Sequence, residues 1–137
     1  MNTFYIPGEL MSLNEFINIQ RTHPMKGNQV KQKNTNRCKR AVLEAIQQGL
    51  SFELPVRLSI TWYMKNRRKD PDNIAFAVKF ILDGLVNAGA LPNDGWNEIV
   101  AFRSRCETAK SRSIALFKRN RRSDCVGGTA KTNRWDT

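Results

Sequence analysis

The chain has 137 residues, 40% of them hydrophobic, with 23 Lys and Arg against 12 Asp and Glu, a formal net charge of +11. That length and composition fit one globular domain and exclude both a disordered chain and two full-sized domains. The cationic excess points to a polyanionic partner, nucleic acid first and an anionic membrane surface second.

No apolar run approaches the roughly 18 residues needed to span a bilayer, and with nucleic acid the first candidate no membrane partner is expected. The opening MNTFYIPGEL lacks a basic segment followed by an apolar one, which argues against a secretory signal. Cys38, Cys106 and Cys125 are odd in number and show no CxxC spacing, the pattern of reduced thiols in a cytoplasmic protein rather than a disulfide frame or a zinc site. The one histidine, His23, sits in R-T-H-P, a loop sequence, with no second histidine to share a metal and no evident nucleophile to activate. Carboxylates and lysine are the expected carriers of any chemistry.

Along the chain, residues 2–6 read as a short strand ended by Pro7-Gly8. Residues 12–19 read as a short helix, with Ser12 and Glu15 at capping-box spacing. A polar loop over 22–28 leads to a helix over 29–48. Its first half is basic (Lys31, Lys33, Arg37, Lys39, Arg40); Ala41, Leu43 and Ile46 give the second half an apolar side, and Gly49 ends it. After Pro55, Val56, Leu58, Ile60, Trp62 and Met64 alternate with Arg57, Ser59, Thr61 and Tyr63, a strand. Residues 65–73 form a loop. One helix is expected over 73–88, with Ile74, Val78, Ile81, Leu85 and Ala88 on its buried face and Gly89 at its end. Strands follow over 98–108 and 113–118. Residues 119–137 read as a flexible basic tail that adds phosphate contacts. The order is β-α-β-α-β-β, an α+β domain with two main helices on a mixed sheet.

The loop reads K-N-R-R-K-D-P-D-N and sets four cations directly before Asp70 and Asp72. Two readings stand side by side. Asp-Pro-Asp-Asn is good turn chemistry, with an Asp capping the helix that follows. Yet one cap needs one aspartate. In an extended turn residues i and i+2 project to the same side, so both carboxylates can converge on one cation. Mg²⁺ takes hard oxygens and uses one or two carboxylates together with water and phosphate. Lys79 lies seven residues, two turns, after Asp72 on nearly the same helical stripe, and side chains lean toward the helix N-terminus. Its alternative is an i,i+4 ion pair with Asp83. Arg67, Arg68 and Lys69 would reverse the repulsion that two carboxylates exert on a phosphodiester; a merely solvated basic run is their alternative.

Over residues 67–94, R-R-K-D-P-D-N-I…K-F-I-L-D-G-L…A-G-A-L-P-N-D resembles the RusA-type Holliday junction resolvases, small endonucleases of bacteria and prophages. The element order extends the resemblance over 1–118, as a nuclease domain, but not to the tail. It implies a homodimeric Mg²⁺- or Mn²⁺-dependent endonuclease that resolves four-way DNA junctions by paired symmetric nicks. The family's D-x-D-N falls on Asp70, Asp72 and Asn73, its third aspartate on Asp94 and its helix lysine on Lys79. Asp70, Asp72 and Asp94 are then the metal ligands. Arg67, Arg68, Lys69 and Asn73, with Lys31, Lys33, Arg37 and Arg40 on the preceding helix, face DNA. The chain departs from the family twice. Asn93 stands where a second acid is common, and three extra residues separate Asn73 from Lys79. Taken alone, N-D-G at 93–95 is a turn signal. Two other functions fit the composition: a non-catalytic basic protein that coats nucleic acid, and a metal-dependent nuclease acting on RNA or other branched DNA.

Overall fold

Alternation builds the sheet. In β2 (Val56–Met64) every second residue is buried and those between are half-buried, so one face is fully covered and the other only in part. The computed structural model describes residues 2–119 and adds three strands to β2: β1 (Thr3–Pro7), β3 (Ile99–Thr108) and β4 (Ser113–Arg119). They lie in the order β1-β4-β2-β3. β4 runs antiparallel to both β1 and β2, whereas β2 and β3 are parallel. The result is the expected α+β domain on a mixed sheet. β4 takes in Arg119, the first residue of the expected tail; residues 120–137 lie outside the described residues.

A parallel pair needs a crossover, supplied here by α3 (Pro71–Ala75) and α4 (Val78–Asn87). The carboxyl ends of β2 and β3 therefore lie side by side. The end of β1 and the start of β4, where Pro7 pairs with Ser113, share that edge. Helix α1 (Leu13–Thr22), a single 3₁₀ turn over Pro24–Lys26 and the long α2 (Gly27–Gln47) precede β2. The core joins Phe4 and Ile6, the buried side of β2, Ile114 and Leu116 to Cys38, Val42 and Ala45 of α2 and Phe80, Ile81 and Leu85 of α4. Helices α2 and α4 cross closely at Gly84, where a Cβ would come within 2.6 Å of the Cys38 Cβ and 3.0 Å of the Lys39 amide nitrogen. Among the described residues no helix is long and apolar enough to cross a membrane.

The single helix expected over 73–88 is two. The buried face is as expected, with Ile74, Val78, Ile81 and Leu85 all buried, but the coil tightens at Phe76 and Ala77. There the Ala77, Lys79 and Phe80 amides donate to carbonyls three residues back, at 3.2, 3.3 and 3.0 Å, the 3₁₀ pattern. Neither residue is a helix breaker, so composition gave no warning. Phe76 turns toward α1 instead, its ring 5.5 Å from Phe16 and 5.6 Å from Phe80.

Candidate functional site

The edge holding the carboxyl ends of β2 and β3 carries the D-P-D-N stretch. In open sheets with parallel strands this is the edge where ligands bind, because the connections leave a crevice there. Pro71 presets the first helical turn, and Asp70 takes the N-cap position in extended conformation (φ −71°, ψ 153°). Its carbonyl accepts from the Ile74 amide at 3.1 Å. Its carboxylate makes no capping hydrogen bond and has no ion-pair partner among the described residues. It opens into a cleft of about 290 Å³ lined also by Asn66, Arg67, Lys69, Ile74, Glu107 and Thr108.

Asp72 behaves differently. Helix α3 begins at Pro71, so Asp72 is already helical and not in an extended turn. The alternation that would turn both carboxylates to one side does not apply, and the Asp72 carboxylate accepts the Asn73 amide at 2.9 Å. The Asn73 side chain is also occupied, accepting the Asn14 amide of α1 at 2.9 Å. That bond ties α1 to α3.

Of the basic candidates, several are structural. The Lys69 ammonium bridges Glu9 (3.7 Å) and Glu15 (3.2 Å), clamping the 65–70 loop to the start of α1. Arg112, before β4, reaches Glu9 as well, at 3.3 Å. Arg37 of α2 donates to the carbonyls of Glu9 (2.7 Å) and Pro7 (2.8 Å). Burial pushes the Glu15 carboxyl up, but hydrogen bonds from the Ser12 amide and hydroxyl and from Lys69 outweigh it and hold the group below its ordinary value. Arg67, Arg68, Lys33 and Arg40 stay exposed and Lys31 is half-buried. The Arg68 amide is fixed by Asn66 Oδ1 at 3.0 Å, which shapes the turn while leaving the guanidinium outward.

Lys79 pairs with Asp83 at 3.4 Å. The tightened coil at 76–77 breaks the regular 3.6-residue phase that would stack Lys79 over Asp72. Asp94 lies elsewhere, in a second cleft with Leu82, Trp96 and residues 99–102 at the start of β3. The Asp70 cleft instead meets the end of β3, at residues 106–108. A strand advances ~3.3 Å per residue, so the four positions from Phe102 to Cys106 alone span roughly 13 Å. Among the described residues no three Asp, Glu, Cys or His side chains gather as a metal-holding group.

Sequence reading missed Glu107, the second carboxylate of the Asp70 cleft, held by Arg105. Only the pairing of Tyr63 with Glu107 and of Met64 with Thr108 brings the end of β3 there, and a parallel register is not written in either strand alone. Comparison with protein-family models and with curated proteins gives no match, so the site stands on its own residues.

Proposed function

We propose that the chain is a Mg²⁺- or Mn²⁺-dependent endonuclease of branched DNA, of the kind that resolves four-way junctions. The observation that carries this reading is Asp70: a carboxylate at a helix start that caps nothing, pairs with no cation and opens beside Arg67 at the carboxyl edge of β2. An N-cap aspartate ordinarily accepts an amide of the first helical turn, and this one does not. The exposed Asp70 carboxylate fits a hydrated Mg²⁺, which needs only one or two carboxylates beside water and phosphate.

Arg67 and Arg68 hold backbone phosphates and so place DNA without reading its sequence, with Lys33 and Arg40 extending that contact. An ion held at Asp70 would supply Lewis acidity toward water and the phosphate. Lys79 leaves Asp83 cheaply, since an exposed i,i+4 pair is worth only about 0.3–0.5 kcal/mol, and can then turn to a phosphate. Asp94 is too far along β3 to join Asp70 within one chain, so it serves only if a second copy brings it. Two features favour such a homodimer: β3 is an edge strand, and Trp96 (95% exposed) and Phe102 (50% exposed) stand apolar beside Asp94. A two-fold dimer also matches the pseudo-two-fold arms of a junction.

The test is a synthetic four-way junction and a linear duplex of equal length, each with Mg²⁺ or with EDTA. Paired nicks near the crossover, with metal only, are expected. Mixing Asp70→Asn with Asp94→Asn should restore single nicks that neither variant makes alone, because a mixed dimer rebuilds one site. Nicking in EDTA, or binding without any nicking, would leave a non-catalytic nucleic-acid-binding protein as the better account.

A further inference from the structure

Among the described residues, no helix packs on the face of the sheet turned away from α2 and α4, and its side chains are half-buried or exposed. Every buried strand residue, Phe4 through Lys118, belongs to the other face. Among the residues alternating with them are Tyr5 of β1, 62% exposed, and Phe117 of β4, 41% exposed. The register sets Tyr5 opposite Ala115 and Thr3 opposite Phe117, so the two rings are diagonal neighbours about 7–8 Å apart. The other half of the face is cationic. Ser59 aligns with Arg103 and Thr61 with Arg105, and Arg57 lies two residues before Ser59 on the same side. Glu107 is the one carboxylate of this face among the described strand residues, and it is paired with Arg105.

We infer that this face is a platform for an unpaired nucleic-acid strand, with bases stacked on Tyr5 and Phe117 and phosphates drawn to Arg57, Arg103 and Arg105. Aromatic rings on a four-stranded sheet with helices behind it are a general solution for single strands, since every base offers a π-face. A duplex hides those faces inside its stack, so the rings select for unpaired bases. Charge decides against the other occupants. A second copy docked face to face would set three arginines against three. The chain's own residues 120–137 carry Arg121, Arg122, Lys131 and Arg134 against Asp124 and Asp136, again the same sign. A polyanion complements the surface. The face meets the Asp70 cleft only at its rim, through Glu107, and its stacking residues Tyr5 and Phe117 lie outside that cleft, so the inference does not rest on the nuclease reading.

The measurement is anisotropy of a labelled oligothymidylate and of a short duplex against the full chain in EDTA, which prevents cutting. Tyr5→Thr/Phe117→Thr keeps β-branched residues in the strands, so the sheet is retained. It is expected to lose at least about fivefold in affinity for the single strand with duplex affinity unchanged. Ultraviolet cross-linking of an iodouracil-bearing oligonucleotide to the wild-type protein gives an answer that does not depend on how the variant folds. Cross-links are expected within 3–7 and 113–119. Cross-links confined to the 65–70 loop or to 120–137, unchanged affinity in a folded double variant, or its dissociation from dimer to monomer would each overturn the inference.

Discussion

Asp70 and Lys69 are adjacent, and the structure separates their roles. Asp70 leaves its carboxylate unused, whereas Lys69 spends its charge on Glu9 and Glu15. Sequence alone could not divide them, since the basic run is uniform in type and only the fold puts two glutamates within reach of its last member. Arg37 looked like one of four equivalent cations on a helix and proves to be a tether for the backbone at Pro7 and Glu9. Charge-assisted bonds of that kind are worth about 1.5–3 kcal/mol, so Arg37→Ala is expected to lower stability by that order in a urea melt. The Arg67→Ala and Arg68→Ala variants should leave the melt within about 0.5 kcal/mol of wild type. Gly84 is the sharper case. A methyl there meets backbone as well as Cys38, so Gly84→Ala should cost about 1–3 kcal/mol by overpacking, although alanine is intrinsically the better helix former. Burial pushes the Cys38 thiol up to about 12, so alkylation mapped by mass spectrometry should reach Cys38 only on unfolding.

At the scale of elements, the strands and the buried face of the 73–88 segment were legible because period-2 and helical patterns are each carried by many residues. The break into α3 and α4 was not, since Phe76 and Ala77 are ordinary helix residues; it coincides with a tertiary contact, the Phe76 ring packing tilted against Phe16 of α1 and edge-on against Phe80. Helix α1 was legible from its capping box, yet it buries no residue fully. What holds it is the Asn14–Asn73 bond, the Phe16–Phe76 contact and the Glu15–Lys69 bridge. An element with so little buried surface opens locally, so its amides are expected to exchange well before those of β2. Glu15 gives that docking a pH dependence. Its folded value lies below the ordinary carboxylate value, so its contribution is complete above that ordinary value and is lost as pH falls through the folded one. The midpoint of thermal unfolding should therefore fall less between neutral and acid pH in Glu15→Gln than in wild type.

For the whole molecule, the α+β class and the mixed sheet followed from element order, while the parallel pairing of β2 with β3 decided which ends meet. That pairing sets Asp70 beside Glu107 and sends Asp94 to the other end of β3, a separation invisible when the three aspartates are read along one line of sequence. It also gathers Arg67 and Arg68 at the same edge. Each of those cations released from phosphate should lower the slope of log affinity against log salt by about one, whereas Lys69→Gln should leave the slope nearly unchanged. The decisive comparison is wild type against Asp70→Asn on one four-way junction in Mg²⁺, with binding and nicking followed in parallel. Metal affinity or activity falls about 10–100-fold even when a residue that only supports a ligand is lost, so if Asp70 holds the ion as proposed its loss is expected to cut nicking by at least about a hundredfold, with junction binding retained. Nicking by Asp70→Asn at the wild-type rate would contradict the account, and Asp70 would then be a helix-start residue within a basic surface.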